Sequence, residues 1–311
     1  MLTFAVRRVA LLAVLVTATA VTAGACGARP SASVGDPVIL AAPAQTPVPL
    51  TPRTTASPAP KPKPKPKPEP EPGGSASGVD QSSLAAAARD IEPNTTLSAV
   101  VFDRVSGAPR LSVDGDRQFR SASLVKLMIA IDVLYRGASE QDREALSTML
   151  MVSDDDIASS FWVKGGPGLI PRVVELVGLE GTEPPELAGR WGEVKVTAND
   201  MVRVYRYVLG RMPAEDRALV VDALAQAPEY AADDFDQYFG IPDGLDAQWA
   251  IKQGWGNNDH AMVLHSTGLV GEKWRYIVVL LTEHPLGSGW RTSAESVTAA
   301  AAALNGTLPG A

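Results

Sequence analysis

Several residue types and patterns that common chemistries require are scarce or missing in this chain. Cys26 is the single cysteine among 311 residues, so a disulfide within the chain is excluded. The three histidines, His260, His265 and His284, lack metal-ligand spacing, and we expect no metal site and no cofactor. There is no Gly-x-Ser-x-Gly elbow and no glycine-rich phosphate loop. The net charge of -7 makes nucleic acid an unsuitable partner.

The N-terminus has the pattern of a secretion signal. Arg7 and Arg8 precede a run of apolar and small residues that extends through Val21, which indicates a signal peptide over residues 1–25 rather than a lasting membrane span. Cleavage after Ala25 would make Cys26 the first residue, and Ala-Gly-Ala-Cys resembles a bacterial lipobox. We therefore expect a lipid on Cys26 that holds the protein on the outer face of the plasma membrane. Ordinary secretion with a free thiol is the alternative.

Residues 26–78 have too few large apolar side chains to form a core. Proline, alanine, serine and threonine dominate, and the segment ends in Lys-Pro repeats from Lys61 onward, followed by Glu-Pro repeats. Alternating proline favours polyproline II at about 3.1 Å per residue. The composition predicts a disordered spacer between the anchor cysteine and a domain over residues 79–311.

The hydrophobic patterns of residues 79–311 change from strand to helix and back to strand. Period-two patterns predict strands over 97–102, 110–113, 249–253, 261–269 and 276–282. Helical spacing predicts helices over 124–135, 140–151, 170–177, 198–209, 213–224 and 293–304. The order predicts an antiparallel sheet completed by both ends of the domain, flanked by helices, with a helical subdomain inserted: an α/β part plus an all-α part.

The first chemical candidate is Ser123 with Lys126, which begin an apolar helix. Residues i and i+3 share a helix face, so the hydroxyl and the amine would be neighbours. Burial of that face would favour the neutral amine, which could take the proton of the serine. An ordinary helix start is the alternative, because Ser-x-x-Lys occurs by chance about once in a chain of this size.

Two later segments carry a family resemblance. Ser153-Asp154-Asp155 follows an apolar run, and Lys252-Gln253-Gly254 ends a strand-like one. In order and spacing, the three segments resemble Ser-x-x-Lys, Ser-Asp-Asn and Lys-Thr-Gly of the class A β-lactamases and penicillin-binding D,D-peptidases. The resemblance implies a β-lactamase/transpeptidase-like fold with its active site between the two parts of the domain.

The resemblance also implies roles for individual residues. Ser123 would be the acylated nucleophile, Lys126 its base and Ser153 the proton relay to the leaving nitrogen. Lys252 would bind a substrate carboxylate, and Gly254 would leave room for the substrate backbone. The backbone N–H groups of Ser123 and Trp255 would form the oxyanion hole. From the residues alone, Ser153 also suits an N-cap of a helix over 154–161.

The motifs depart from the family in four places. Asp155 replaces the Asn of the second motif, and an ionised carboxylate there would keep Lys126 protonated. Gln253 replaces a small hydroxyl and removes one hydrogen bond to a substrate carboxylate, while its amide offers a partial substitute. Trp255 is large and would narrow the cleft. Glu193 is the candidate acid for deacylation, although the loop around it is shorter than in the family and a solvent-facing position is the alternative.

These features predict a monomeric cell-envelope lipoprotein with serine hydrolase-like chemistry at Ser123. Its partners would be β-lactams or peptidoglycan stem peptides, acted on slowly. The alternative is a non-catalytic lipoprotein that binds wall peptides or a partner through a degenerate cleft. An efficient β-lactamase is the least favoured reading, because no acid is clearly placed to activate water.

Overall fold

The computed structural model describes residues 81–310. The predicted signal peptide over 1–25, Cys26 and the proline-rich segment to residue 78 lie outside the described residues. Within 81–310, no helix is both long and apolar enough to cross a membrane. The same residues contain no group of three or more side chains suited to hold a metal ion.

A five-stranded antiparallel sheet forms the centre of the domain. Its order is β2-β1-β7-β6-β5, so strands from the two ends of the domain pair in the middle. The strands are β1 (Thr96–Asp103), β2 (Ala108–Val113), β5 (Trp249–Asn257), β6 (Ala261–Val270) and β7 (Tyr276–Pro285). A separate short pair joins β3 (Phe119–Arg120) to β4 (Lys195–Val196). The predicted sheet is confirmed.

Helices cover both faces of this sheet, which explains why β1 is buried along almost its whole length. Leu97, Ala99 and Val101 of β1 face one core, while Val100 and Phe102 face the other. The first core is closed by α1 (Gln81–Ile91), α8 (Ile241–Gly244) and α9 (Trp290–Ala302). The second contains α2 (Val125–Tyr135), α3 (Glu140–Met151), α4 (Asp155–Gly165), α5 (Leu169–Val177), α6 (Ala198–Gly210) and α7 (Ala214–Ala225).

The central helix α2 begins directly after the nucleophile candidate. Its first ten residues are buried, and even Lys126 and Asp132 lie inside. A helix that is apolar on all sides is stable only when other elements surround it, as α3, α4, α5 and α6 do here. The helix therefore fixes the position of its own N-terminus within the core.

The structure contains short elements that the sequence patterns do not predict, namely α8, β3 and β4, and it also differs from the expectations at α1 and at the start of α4. Helix α1 was not predicted, and its alanine-rich segment directly follows the proline-rich region. Asp154, not Ser153, caps α4, since its side chain accepts a hydrogen bond from the backbone of Ile157 at 2.8 Å. Ser153 has a φ of 57° and stands just outside the helix. The capping interpretation of Ser153 is therefore wrong.

Candidate active site

Ser123 lies in a short 3₁₀ turn, Ala122–Leu124, that leads into α2. Two hydrogen bonds hold the chain just before it. The amide of Ser121 donates to the carbonyl oxygen of Val194 at 2.7 Å, and His265 of β6 contacts the carbonyl oxygen of Arg120 through Nε2 at 2.7 Å. Ala122 has a φ of 44°, a costly conformation for a residue with a Cβ, and such strain clusters at functional sites.

The amine of Lys126 contacts polar groups of both of the first two motifs. Its Nζ lies 2.9 Å from Ser123 Oγ, 2.6 Å from the carbonyl oxygen of Ser153 and 2.5 Å from Asp155 Oδ1. The side chain of Lys126 is 0% exposed, whereas that of Asp155 is 66% exposed. The predicted neighbours therefore meet, and Asp155 contacts the lysine as its replacement of Asn suggested.

Ser153 connects the two lysines. Its Oγ lies 3.1 Å from Lys126 Nζ and 2.9 Å from Lys252 Nζ. Lys252 also donates to the carbonyl oxygen of Gln253 at 2.9 Å, and it is 1% exposed. Segments from α2, the start of α4 and β5 thus converge into one chain of polar contacts that begins at the Ser123 hydroxyl.

The amines of Lys126 and Lys252 are buried close together, and burial lowers the pKa of both. Burial lowers the pKa of Lys126, and the charge and hydrogen bond of Asp155 oppose this effect by raising it. The pKa of Lys252 is lowered well below its ordinary value, first by burial and then by the positive charge of Lys126. Since two buried ammonium groups would repel each other across Ser153, the geometry favours one neutral amine in the pair.

Neither Gln253 nor Gly254 lines the open cleft. Gln253 is fully buried, and its amide nitrogen donates to the carbonyl oxygens of Gln237 and Phe239 at 3.0 and 2.6 Å. A Cβ added to Gly254 would lie 3.0 Å from the carbonyl oxygen of Ser121. Gly254 therefore allows β5 to approach the turn that carries Ser123, rather than opening space toward a ligand.

Trp255 forms part of an aromatic wall. Its ring stacks on Phe235 with centroids 4.7 Å apart and planes at 10°, and Trp290 meets Phe235 edge-on at 5.5 Å. The indole N–H of Trp255 donates to Asp233 at 3.0 Å. Trp255, Trp290 and Asp233 line a cleft of about 410 Å³ together with Ser123. The expectation that Trp255 narrows the cleft agrees with this placement.

Glu193 lines the same cleft but has a charged partner. Its carboxylate lies 3.2 Å from Arg120, which is itself buried and also donates to the carbonyl oxygens of Gly256 and Ala261. Glu193 ends a 3₁₀ turn, Trp191–Glu193, that runs close to Ala122. The acid is thus tied to the wall of the cleft, and its side chain remains 28% exposed.

The sequence patterns assign no role to four residues that line the cleft. Arg120, Asp233 and Trp290 are three of them. Trp191 is the fourth, and its ring lies 5.2 Å from Lys126 Nζ. Arg120 and Trp191 lie in segments that resemble the family, just before Ser123 and beside Glu193. Asp233 and Trp290 belong to no motif, because they reach the cleft through tertiary packing.

Comparison with solved structures establishes the fold. An ancestral class A β-lactamase aligns with a TM-score of 0.61 at 15% identity, covering 73% of this chain and 99% of its own. The class A β-lactamase of Mycobacterium abscessus gives 0.57 at 17% identity, covering 72% and 97%. The described domain has the class A β-lactamase fold. The structure named PBP-A shares this β-lactamase fold, with a TM-score of 0.56 at 18% identity and coverage of 72% and 94%.

Sequence comparison finds relatives that are more similar in sequence but match a smaller part of the chain. No family model matches the sequence. The Mycobacterium tuberculosis protein named "Putative lipoprotein LppW" is 38% identical over 203 residues, which are 61% of this chain and 64% of that protein. The Mycobacterium bovis protein of the same name matches over the same share. The chain thus spans about 64% of the length of the curated relatives it matches.

Proposed function

We propose that residues 79–311 form a serine acyl-transfer domain that attacks an amide of a β-lactam or of a peptidoglycan stem peptide. The observation that carries this proposal is the continuous path from Ser123 Oγ through Lys126 and Ser153 to Lys252, with successive contacts of 2.9, 3.1 and 2.9 Å. A hydroxyl needs a neutral base within hydrogen-bond reach to become a nucleophile, and Lys126 is that base.

The proposed reaction uses these groups in sequence. Lys126, in its neutral form, accepts the Ser123 proton while Oγ bonds to the substrate carbonyl carbon. The carbon–nitrogen bond then breaks, and Ser153 gives its proton to the leaving nitrogen. Ser153 is reprotonated from the lysines it contacts. An ester on Ser123 remains, and water releases it with a second proton transfer.

Release of the ester is the slow step in this proposal. Glu193 is the acid in the cleft that could activate water, but its carboxylate is already bound to Arg120. A carboxylate that is held by a guanidinium is a weaker acceptor for a water proton. We therefore expect an acyl-enzyme that accumulates, and a β-lactam turnover far below that of an efficient β-lactamase.

The alternative is a domain that binds without chemistry. The contact between Asp155 and Lys126 favours it, because an ionised carboxylate stabilises the protonated lysine that cannot act as a base. The use of the Gln253 amide inside the protein also favours it, since that amide is not available for a substrate.

The two functions differ in whether a penicillin forms a covalent adduct with the protein. We expect the mass of the protein to rise by one benzylpenicillin after incubation, with the adduct on Ser123, and a chromogenic cephalosporin to be hydrolysed only slowly. Ser123→Ala should form no adduct. An unmodified wild-type protein without turnover would support binding alone, and fast multiple turnover without an adduct would support a true β-lactamase.

The envelope location is proposed from the N-terminal sequence and from the relatives that carry the name lipoprotein. We place the signal peptide at 1–25, the lipid on Cys26 and the proline-rich spacer at 26–78, with the domain on the outer face of the plasma membrane. Cys26→Ser should then move the protein from the membrane fraction to the medium without changing acylation of Ser123. Retention of the variant in membranes would contradict the lipid anchor.

A further inference from the structure

The end of the cleft that the family resemblance assigns to a substrate carboxylate is closed here. Lys252 is 1% exposed, and its amine lies under Trp255, 5.8 Å from the centre of the ring. The hydrogen bonds of this amine go to Ser153 and to the carbonyl oxygen of Gln253. The Gln253 amide donates into the protein. Both side chains are buried and neither lines the open cleft, so an anionic ligand in the cleft does not reach their donors.

An oriented carboxylate stands at the surface of the same region. Asp233 is exposed, its Oδ2 accepts the indole N–H of Trp255 at 3.0 Å, and its Oδ1 accepts the backbone N–H of Phe235 at 3.2 Å. Both donors are neutral, so they fix the direction of the carboxylate without cancelling its charge. Its field reaches the site, because it raises the pKa of Lys126 and of Lys252.

Aromatic rings surround this carboxylate. Trp255 stacks on Phe235, and Trp290 packs edge-on against the same ring. Trp255 and Trp290 line the cleft together with Asp233 and Ser123. An ammonium group is attracted both to a carboxylate and to the face of an indole ring, and a partly desolvated cleft strengthens both interactions.

The other charged side chains of the cleft also favour a positively charged ligand. Asp155 is 66% exposed at the side chain and adds a second carboxylate. The cationic residues Arg120 and Arg190 line the cleft near Glu193, and Arg120 is bound by that acid. A carboxylate beside Asp155 and Asp233 would meet two like charges. An ammonium group would meet the charge of Asp233, whose donors are neutral, and that of Asp155, which also contacts Lys126.

We propose that the cleft beside Ser123 selects an acyl donor that carries an ammonium group, bound by Asp233 and Asp155 against the exposed ring of Trp290. The ring of Trp255 is already covered by Phe235, and the amine of Lys252 lies under it. This inference rests on the proposed acyl-transfer site and specifies its ligand. The ligand class is a peptide or β-lactam with a free amine close to the reactive amide. A ligand with a carboxylate in that place is disfavoured.

Three penicillins that differ in one substituent test this selection. Benzylpenicillin carries hydrogen at the benzylic carbon, and its α-amino and α-carboxy derivatives carry a cation and an anion at the same carbon. We expect the rate constant for acylation of Ser123, followed by intact mass, to be highest for the amino compound and at least about 10-fold lower for the carboxy compound. Equal rates, or the carboxy compound as the fastest, would overturn the inference and leave the acyl-transfer function standing.

Two aspartate variants show whether the carboxylate in the cleft is responsible. Asp233→Asn should reduce the ratio of the amino rate to the benzylpenicillin rate several-fold. Asp234→Asn removes the same charge from the next residue, which is exposed and does not line the cleft, and should keep the wild-type ratio. An equal loss in both variants would mean that general surface charge, not a defined subsite, sets the preference.

The subsite is testable even if no penicillin acylates the protein, which would refute the acyl-transfer proposal. Equilibrium binding of benzylammonium and of phenylacetate then replaces the rates. Tighter binding of benzylammonium that is lost in Asp233→Asn would support the cation subsite. Equal binding of both probes, or tighter binding of phenylacetate, would overturn it.

Discussion

At the scale of single residues, Asp155 opposes the effect of burial on the pKa of Lys126. It places a carboxylate 2.5 Å from the amine that the proposed reaction needs in its neutral form. Burial acts in the opposite direction and lowers the pKa of that amine. In the proposed reaction, the reactivity of Ser123 therefore depends on the balance between the burial of Lys126 and the charge of Asp155.

Replacing Asp155 by Asn shifts that balance toward the neutral amine. Because the carboxylate raises the pKa of Lys126, its removal lowers this pKa further and enlarges the neutral fraction at pH 7. A nearby opposite charge is worth one pKa unit or more, so we expect acylation by benzylpenicillin to become about 10-fold faster. The acid limb of the rate–pH profile should move to lower pH.

Asp156→Asn is the matched control for this variant. It removes the same charge from the next residue of α4, which is exposed and makes no contact with Lys126. Its acylation rate should remain that of the wild type. A slower or unchanged Asp155→Asn would show that the carboxylate does not hold the proton of Lys126.

At the scale of elements, the contact between β5 and the turn Ala122–Leu124 aligns the motifs. Gly254 makes this approach possible, since an added Cβ would meet the carbonyl oxygen of Ser121 at 3.0 Å and the side chain of Leu124 at 3.1 Å. The strand that carries Lys252 and the turn that carries Ser123 can pack this closely only while position 254 lacks a side chain.

A pair of alanine variants on the same strand measures the importance of this contact. Gly254→Ala should destabilise the protein by about 1–3 kcal/mol through overpacking and slow the acylation of Ser123, because strand and turn must separate. At Gly256, the nearest atom to an added Cβ is 3.9 Å away, an ordinary contact. Gly256→Ala should change stability by less than about 0.5 kcal/mol in urea unfolding. Equal losses in the two variants would contradict the role of the close approach.

The elements also show what sequence patterns can and cannot predict here. The five strands and the apolar helix after Ser123 follow from local periodicity, and the three motifs are short enough to be recognised by spacing. Local patterns do not predict the direction of the Gln253 side chain, because it depends on carbonyl groups of residues 237 and 239 that only the fold brings close. Asp233 and Trp290 enter the cleft for the same reason, from segments without any motif.

At the scale of the whole molecule, two buried histidines connect the sheet to neighbouring segments: His265 contacts Arg120 before α2, and His284 contacts Thr95 before β1. His265 contacts the Arg120 carbonyl through Nε2 and accepts the Thr282 amide through Nδ1, so it is held neutral in one tautomer. Burial lowers its pKa from 6.5 to about 3, and that of His284 to about 4. An unfolded chain binds these protons below about pH 6.5, while the folded protein does not.

The stability of the fold should therefore fall in mild acid. The contribution of His265 is complete above pH 6.5 and is lost as the pH falls from there toward 3, with a slope of up to about 1.4 kcal/mol per pH unit. In His265→Gln, the free energy of unfolding should depend less steeply on pH between 6 and 4. His260→Gln changes an exposed histidine and should keep the wild-type slope. Equal slopes in wild type and His265→Gln would refute a neutral buried His265.

The most direct test of the central claim compares wild type with Lys126→Arg in the acylation of Ser123 by benzylpenicillin. Arginine has a similar length but is always protonated, so it cannot act as a base as neutral Lys126 would. The account predicts a Ser123 adduct in the wild type and a rate at least about 100-fold lower in the variant, with folding of the variant checked by thermal unfolding. A Lys126→Arg protein that is acylated at the wild-type rate would contradict the claim that this buried amine activates Ser123.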